Sequence, residues 1–259
     1  MTARALRSAV LLTFDNLGEA ADLERQLTPP TAVGDHPSVT VALPAVLELL
    51  DRLDLRATFF VEGINAGLYP DAVRAIAAAG HEVGLHAWRH ERWSELGPDE
   101  ETALLERSID AFAQLGIEVD GFRPPGGELG SRTVPALAAH GVRWCSPVGT
   151  SPGRSDGVAI LPFRWPLVDA YHRMEAFADL RRRLGDAPAP LSAPATADAL
   201  LAGLEAADDQ PTVLILHPFL MVDEAERAEA ERVLTWVAER VAAGERWVAT
   251  GRELARSVG

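Results

Sequence analysis

Short apolar runs alternate with longer amphipathic stretches along most of the chain. The short runs are rich in apolar and β-branched residues, as buried strands are, and they occur at 9–14, 57–61, 82–85, 119–122, 142–145, 159–163, 212–216 and 246–249. The longer stretches have apolar residues at helical spacing, and they predict helices at 43–53, 71–79, 98–115, 133–139, 174–184, 196–206 and 223–243. Because strands and helices alternate, we expect parallel strands joined by helical crossovers.

This alternation predicts an α/β fold. With up to eight strands and no Gly-x-Gly-x-x-Gly turn after the first, a closed or nearly closed barrel is favoured over an open doubly wound sheet. A chain of 259 residues with 47% hydrophobic residues can bury a large core. We therefore predict one domain over residues 1–259, a distorted (β/α) barrel of seven or eight mostly parallel strands. The stretches 18–38 and 185–194 are predicted to be irregular.

Charge and cysteine content narrow the classes of partner. Lys and Arg number 24 against 38 Asp and Glu, a formal net charge of −14, which argues against nucleic acid or an anionic membrane as a partner. Cys145 is the single cysteine, so no intrachain disulfide can form. No membrane-spanning run or cleavable signal is recognised, and we expect a cytoplasmic protein. Assembly into a homo-oligomer is left open.

Two histidines, His86 and His90, follow the apolar run 82–85 at a spacing of four residues. Residues i and i+4 share one face of a helical turn, so both imidazoles can bind one divalent cation. Pairs with this spacing also occur on solvated helices. The spacing therefore makes a metal site a hypothesis that other residues have to support.

Further polar residues follow predicted strands at the same end. Asp15 and Asn16 come after the first strand, Arg123 after the fourth, and His217 after 212–216. Taken singly, they read as a turn cap, a surface charge and a strand-end histidine. Barrel enzymes build their sites at the carboxyl ends of parallel strands, and the shared placement favours one common site.

In this order the segments resemble the motifs of the polysaccharide deacetylase family, which has the NodB homology domain and includes carbohydrate esterase family 4. They are Thr-Phe-Asp-Asn ending at Asn16, where the family usually has Thr-Phe-Asp-Asp, His86-Ala-Trp-Arg-His90, Arg-Pro-Pro-Gly-Gly starting at Arg123, and Ile-Leu-His ending at His217. The resemblance covers ordered segments from residue 9 to residue 217. It implies a distorted (β/α) barrel and metal-assisted hydrolysis of an amide on a small acyl group.

The resemblance also implies a role for each residue. His86 and His90 would hold a divalent cation, most suitably zinc, that polarises the amide carbonyl and lowers the pKa of a bound water. Asp15 would be the general base, and Arg123 would keep its carboxylate ionised and oriented. His217 would protonate the departing amine.

One position departs from the family pattern. The family's third metal ligand is an aspartate, and its place is taken by Asn16. An amide oxygen can bind a metal, but it is neutral, so the site loses a negative charge and affinity. Three outcomes stay open: Asn16 binds the metal weakly, another carboxylate replaces it, or the metal has been abandoned.

Other residues are candidates for binding the substrate. In the turn formed by Pro125, Gly126 and Gly127, backbone N–H groups are free of side-chain obstruction and could donate to a tetrahedral oxyanion. Trp88 lies inside the histidine motif and could line the pocket. The segment with Trp165 and Asp169 resembles the small-molecule branch that includes allantoinases and cyclic imidases, and Asp169 is a candidate partner of His217. Packing for the tryptophans and helix capping for Asp169 are the alternatives.

These observations favour a hydrolase of a non-peptide C–N bond that removes the acyl group from a small N-acylated metabolite or amino sugar. Cell-wall polymers are disfavoured as substrates if the protein is cytoplasmic. The first alternative is a metal-free member that catalyses ring opening of a cyclic amide, elimination or rearrangement. The second is a ligand-binding protein without catalysis.

Overall fold

Strand β1 (Ala9–Asp15) lies within the sheet and is buried along its whole length. The computed structural model describes residues 8–29, 31–207 and 211–258. Within these ranges the other strands are β2 (Thr58–Val61), β3 (Glu82–Leu85), β4 (Gly121–Phe122), β5 (Trp144–Cys145), β6 (Gly153–Ser155), β7 (Val158–Ile160), β8 (Thr212–Leu216) and β9 (Trp247–Ala249). Each apolar run predicted as a strand overlaps one of these strands, and β6 is the described strand that no run predicted.

The strands form one mostly parallel sheet in the order β6-β7-β5-β4-β3-β2-β1-β8, with β9 beside the amino-terminal half of β1. The sheet curls, and a bridge between Val168 and Ile215 links the chain after β7 to β8. The predicted fold class, a distorted (β/α) barrel, is confirmed. Strand β6 was not predicted, because Gly-Arg-Ser has no apolar alternation and pairs antiparallel at the sheet edge.

The described helices are α1 (Ala20–Glu24), α2 (Leu43–Arg52), α3 (Asn65–Leu68), α4 (Pro70–Ala78), α5 (Pro98–Gln114), α6 (Thr133–Ala139), α7 (Asp169–Arg173), α8 (Ala178–Leu184), α9 (Ala193–Glu205), α10 (Glu224–Ala242) and α11 (Gly251–Ala255). Most predicted helices are found with small shifts at their ends. Helix α9 starts earlier than predicted because the Ser192 hydroxyl accepts a hydrogen bond from the Ala195 N–H. None of the helices described is long and apolar enough to cross a membrane.

The helix predicted over 174–184 is found, but it begins later than expected, at Ala178. Met174 has an extended backbone, with φ −96° and ψ 134°, which ends α7 before a 3₁₀ turn leads into α8. Helix α1 also lies in the stretch 18–38 that was predicted to be irregular. The backbone break at Met174 leaves α7 as a short separate helix that begins at Asp169.

The period-two alternation of a strand decides which side chains of β1 face the barrel interior. Val10, Leu12 and Phe14 belong to the large apolar cluster shared with the helices. Ala9 and Leu11 belong to a second cluster that includes Phe60, Trp144 and Ile215 from other strands. Asp15 continues the second series, so its carboxylate is placed at the carboxyl end of the barrel interior.

Candidate active site

Polar side chains from separate strands meet at the carboxyl end of the barrel. They follow or end their strands as the sequence predicted: Asp15 and Asn16 at β1, His86 after β3, Arg123 after β4 and His217 after β8. Glu62 after β2 and Ser146 after β5 lie at the same end. The parallel sheet therefore brings together residues that are far apart in the sequence.

A buried ion pair joins Asp15 to Arg123. Arg123 Nη1 lies 2.7 Å from Asp15 Oδ1, and the two side chains are 1% and 5% exposed. The guanidinium also donates to the hydroxyls of Thr13, at 2.7 Å, and Ser146, at 2.9 Å. It stacks 4.2 Å from the centroid of the Phe60 ring. These contacts fix the carboxylate of Asp15 in one orientation.

Replacing Arg123 with leucine is expected to destabilise the fold by about 3–5 kcal/mol, because the Asp15 carboxylate is left buried without a cation. Urea denaturation near neutral pH measures the free energy of unfolding. The exposed Arg164 gives a matched Arg164→Leu control, with an expected change of about 0.5 kcal/mol or less. A loss below about 1 kcal/mol in Arg123→Leu would contradict a tightly paired buried site.

His86 and His90 present two neutral imidazoles side by side. Their ring centroids are 4.9 Å apart with an interplanar angle of 70°. Burial lowers the pKa of His86 to about 3 and that of His90 well below its usual range. His86 Nδ1 lies 2.9 Å from the Arg123 carbonyl oxygen, so a neutral ring donates there and keeps the lone pair on Nε2. Metal-binding histidines are commonly oriented by such a bond.

The helical turn expected for the two histidines is wrong. Residues Ala87 and His90 have positive φ, 62° and 72°, so the segment is a non-helical turn. Glu91 holds this turn, since its Oε2 accepts hydrogen bonds from the backbone N–H groups of Trp88 and Arg89 at 3.0 and 2.9 Å. Left-handed backbone and the buried Glu91 carboxylate therefore bring the two rings together. The spacing of the histidines did not reveal this turn.

The side-chain oxygen of Asn16 is buried and has no described hydrogen-bond partner, so it could bind a metal ion. The φ of Asn16 is 61°, and its side-chain oxygen Oδ1 is buried without a hydrogen bond to any described residue. In the ranges described, no three His, Cys, Asp or Glu side chains lie where they could hold a metal. No described carboxylate therefore replaces the family aspartate beside His86 and His90. The donors that suit a divalent cation are these two imidazoles and the Asn16 oxygen.

His217 is paired with Asp169, as the sequence suggested. His217 Nδ1 lies 2.5 Å from Asp169 Oδ1, and the His217 N–H donates to Oδ2 at 2.7 Å. Burial alone would lower the pKa of His217, but the charge and hydrogen bond of Asp169 raise it above its ordinary value. Asp169 Oδ1 also accepts from the Ala170 N–H at 2.6 Å, inside the first turn of α7. The carboxylate thus serves the helix start and the histidine together.

The turn after Arg123 offers fewer donors than expected. Gly126 and Gly127 both have left-handed backbone, with φ 76° and 82°. The Gly127 N–H donates to the Pro124 carbonyl at 2.9 Å, so it is not free for an oxyanion. Gly126 is exposed while Pro125 is buried. Of the two glycine N–H groups expected to donate to an oxyanion, the Gly126 N–H is therefore the one that remains a candidate.

The two candidate tryptophans differ in their surroundings. The Trp88 ring lies 3.8 Å from the Arg107 guanidinium and packs against Gly63, contacts on the side of α5. Trp165 is half-buried and packs 5.2 Å from Phe163. A Cβ on Gly127 would meet the ring of Phe163 at 2.7 Å, which places the Trp165 group beside the glycine turn. Trp165 therefore lies near the glycine turn through Phe163, whereas Trp88 packs on the side of α5.

Sequence reasoning missed Glu62, although it follows β2 by the same rule that identified Asp15. The side chain is fully buried, and burial raises its pKa to about 8. Its Oε2 accepts hydrogen bonds from the Leu17 N–H at 3.3 Å and from Asn65 Nδ2 at 3.0 Å. Its Oε1 has no partner among the described residues. Glu62 therefore places a protonated carboxyl beside the first motif at neutral pH.

The raised pKa of Glu62 predicts a change in stability with pH. In the folded state its pKa is about 8 against an ordinary value of 4.5, so unfolding releases a proton between these values. The free energy of unfolding should fall across that window, by at most about 1.4 kcal/mol per pH unit, and should show no further loss above it. Glu62→Gln has no titrating group at this position, so its free energy of unfolding should increase relative to that of the wild type as pH rises.

Urea denaturation of metal-free wild type and Glu62→Gln, from acidic to mildly alkaline pH, measures this difference. The exposed Glu245 offers a Glu245→Gln control that should run parallel to the wild type. Parallel curves for wild type and Glu62→Gln would show that Glu62 titrates at its ordinary pKa.

Comparison with known proteins identifies the family. The polysaccharide deacetylase family model matches residues 4–145, just over half of the chain. This chain belongs to the polysaccharide deacetylase family. Chitin deacetylase 1 of Saccharomyces cerevisiae is 42% identical over 100 residues, which make up 38% of this chain and 33% of the yeast protein. A Listeria monocytogenes peptidoglycan-N-acetylglucosamine deacetylase is 31% identical over 111 residues, 42% of this chain and 24% of that protein.

Solved structures resemble the chain over nearly its whole length. One from Mycobacterium smegmatis, described as a candidate polysaccharide deacetylase, shares 27% identity with a TM-score of 0.83, and covers 98% of this chain and 91% of that one. An allantoinase named Puue has 16% identity and a TM-score of 0.73, with 97% and 90% covered. The second likeness supports the barrel fold alone. The chain spans a third or less of the length of the first two curated relatives.

Proposed function

We propose that this protein is a metal-dependent deacetylase that hydrolyses the N-acetyl group of an amino sugar. The observation that carries the proposal is the arrangement at one end of the barrel. Arg123 joins two of its parts, because its guanidinium donates to Asp15 at 2.7 Å and its carbonyl oxygen lies 2.9 Å from His86 Nδ1. The charge of Asp15 also acts to raise the pKa of both His90 and His217. A base, a metal-binding pair and an acid are what amide hydrolysis requires.

His86, His90 and Asn16 would hold the cation. When bound, it would polarise the amide carbonyl and acidify a water. The chain's own groups handle the protons. Asp15, kept oriented by Arg123, accepts a proton from the attacking water. Gly126 is exposed, and its N–H can donate to the oxygen that gains charge as the carbonyl carbon becomes tetrahedral.

His217 completes the reaction. When the C–N bond breaks, the amine nitrogen takes a proton from His217, and acetate and the free amine leave. The raised pKa of His217 keeps its ring protonated at higher pH than an ordinary histidine. His217 is therefore able to act as the acid that protonates the leaving amine.

The substrate class rests on the relatives and on the walls of the site. The named relatives are a chitin deacetylase and a peptidoglycan-N-acetylglucosamine deacetylase, which supports an N-acetylated amino sugar. The half-buried Trp165 packs 5.2 Å from Phe163, the buried ring next to Gly127, and the half-buried Phe219 lies 5.2 Å from the His217 ring. Their rings suit the apolar face of a sugar. We favour a single amino sugar or a short oligosaccharide as the substrate.

Metal content tests the proposal first. Protein purified without a metal-affinity tag should hold about one equivalent of zinc or a related metal by mass spectrometry, and His86→Ala should lose it. Acetate release from N-acetylglucosamine, short chitin oligomers and peptidoglycan fragments then tests the substrate class. A wild type that takes up no zinc, cobalt or nickel would contradict metal dependence.

The neutral donor Asn16 supports a second candidate, a metal-free member of the family that opens a cyclic amide or catalyses an elimination. Two imidazoles and an amide carry no negative charge, which weakens the site for a dication. Asp15 and His217 would still serve as base and acid. Turnover of cyclic amides that is unaffected by chelators, with no acetate released from amino sugars, would favour this candidate.

A further inference from the structure

Two buried side chains hold the peptide that follows Asn16. The Leu17 N–H donates to Glu62 Oε2 at 3.3 Å, and the Leu17 carbonyl accepts from Asn65 Nδ2 at 2.9 Å. Asn65 Nδ2 also donates to Glu62 Oε2 at 3.0 Å, which ties the two side chains together. Both polar groups of the Leu17 backbone are thus satisfied from the segment that follows β2.

This support matters because of the backbone conformation at Asn16. Its φ of 61° lies in the left-handed region, which asparagine adopts more readily than most residues other than glycine, so neighbouring contacts decide whether it is kept. The Gly18 N–H is also fixed, by the Ser38 hydroxyl at 2.9 Å. The backbone after Asn16 is therefore bound by side chains from two other segments.

The left-handed backbone also decides where the Asn16 side chain goes. A return to the extended region would rotate its Cβ and remove the amide oxygen from the place where it is now buried without a partner. Glu62 does not itself join a ligand set, since no three His, Cys, Asp or Glu side chains in the described ranges could hold a metal. Its contacts with Leu17 and Asn65 give it a supporting function.

We propose that Glu62 and Asn65 are positioning residues that clamp the Leu17 backbone and thereby hold the Asn16 amide oxygen toward the metal-binding histidines. This inference rests on the proposed metal site. Supporting residues of this kind change metal affinity about 10–100-fold when they are removed. Neither residue belongs to the proposed ligand set, and both bind the Leu17 backbone next to Asn16, so we expect their effect on the metal to pass through Asn16.

Cobalt binding by isothermal titration and the visible absorption spectrum of bound Co²⁺ test the clamp. Glu62→Ala should weaken Co²⁺ binding about 10-fold or more and change the spectrum, because the Asn16 oxygen moves. Glu62→Gln should restore both, since its amide oxygen can accept the same two hydrogen bonds. Glu62→Gln would contradict the clamp if its Co²⁺ affinity were as weak as that of Glu62→Ala.

Glu82 provides the matched control. It is a buried carboxylate at the opposite end of the neighbouring strand β3, where it accepts hydrogen bonds from Thr58, Trp144 and Arg252. Glu82→Ala should lower the melting temperature but leave the Co²⁺ affinity and spectrum unchanged. If both alanine variants weakened Co²⁺ binding equally, the effect of Glu62→Ala would come from general destabilisation, and the proposal would be overturned. Asn65→Ala replaces Glu62→Ala if the latter does not fold.

Crystal structures of metal-free wild type and Glu62→Ala provide a readout that does not depend on the metal. The backbone at Asn16 should leave the left-handed region in the variant. An unchanged φ would overturn the clamp even if Co²⁺ binding fell. A wild type that binds no Co²⁺, combined with a shifted φ in Glu62→Ala, would reject the metal site of the proposed function while supporting the positioning of Asn16.

Discussion

Asp15→Asn is expected to lower kcat/KM for deacetylation by about 10²–10⁴-fold. The asparagine keeps the size of the aspartate and can still accept a hydrogen bond from Arg123, which lies 2.7 Å away in the native protein. It cannot take a proton from water, so the loss falls on the base. Acetate release from the best amino-sugar substrate measures the effect.

Metal content and stability separate this loss from damage to the site. Asp15→Asn should retain the metal of the wild type, because Asp15 is not among the three proposed donors. The exposed Asp71, whose side chain is 98% accessible, provides an Asp71→Asn control with unchanged activity. If Asp15→Asn retained more than about a tenth of the wild-type kcat/KM, Asp15 would be excluded as the general base.

Asp169→Asn is expected to lower kcat by about 10²-fold or more and to change the pH profile. Asp169 is the group that raises the pKa of His217 against the opposing effect of burial. Without its charge, burial dominates and the pKa of His217 falls. An acid works only while protonated, so activity is lost as pH rises through this pKa. The alkaline limb of the kcat profile should therefore move to lower pH in the variant.

Rates measured across the pH range test this shift. Asp198, an exposed residue of α9 with 70% side-chain accessibility, provides an Asp198→Asn control whose alkaline limb should not move. A uniform drop in kcat at every pH, with the limb unchanged, would show that His217 does not supply the proton. A shift of the limb without a large drop in kcat would show that His217 titrates but is not the main acid.

The alternation of strands and helices was enough to predict the barrel and most of its site. Residues that follow buried parallel strands are brought to one edge by the topology, so Asp15, His86, Arg123 and His217 could be grouped before their distances were known. Glu62 obeys the same rule and was missed, because nothing in the sequence shows that its side chain is buried and bound to the backbone after β1. Asn65 is a partner from the same segment, three residues away, whereas the contact with Leu17 becomes visible only when β1 and β2 are adjacent.

Local conformation was predicted less well than placement. The spacing of His86 and His90 gave the right pair for the wrong reason, because Glu91 holds a non-helical turn with two left-handed residues. The glycine turn is present as predicted, but the Gly127 N–H, one of its expected donors, is bound to the Pro124 carbonyl. Such details depend on hydrogen bonds within turns, which hydrophobic periodicity does not encode.

The sequence alone determined the strand order along the chain, the family motifs and the replacement of a charged ligand by Asn16, because these depend on residue type and spacing. The tertiary structure decided at which atoms and distances the candidate partners meet. Asp169 meets His217 across 48 residues, and Arg123 meets Asp15 across 108. Burial then sets which groups are charged, since desolvation and partner charges exist only in the folded protein. That is why the neutral imidazoles, the raised pKa of His217 and the clamp on Leu17 could be seen only in the structure.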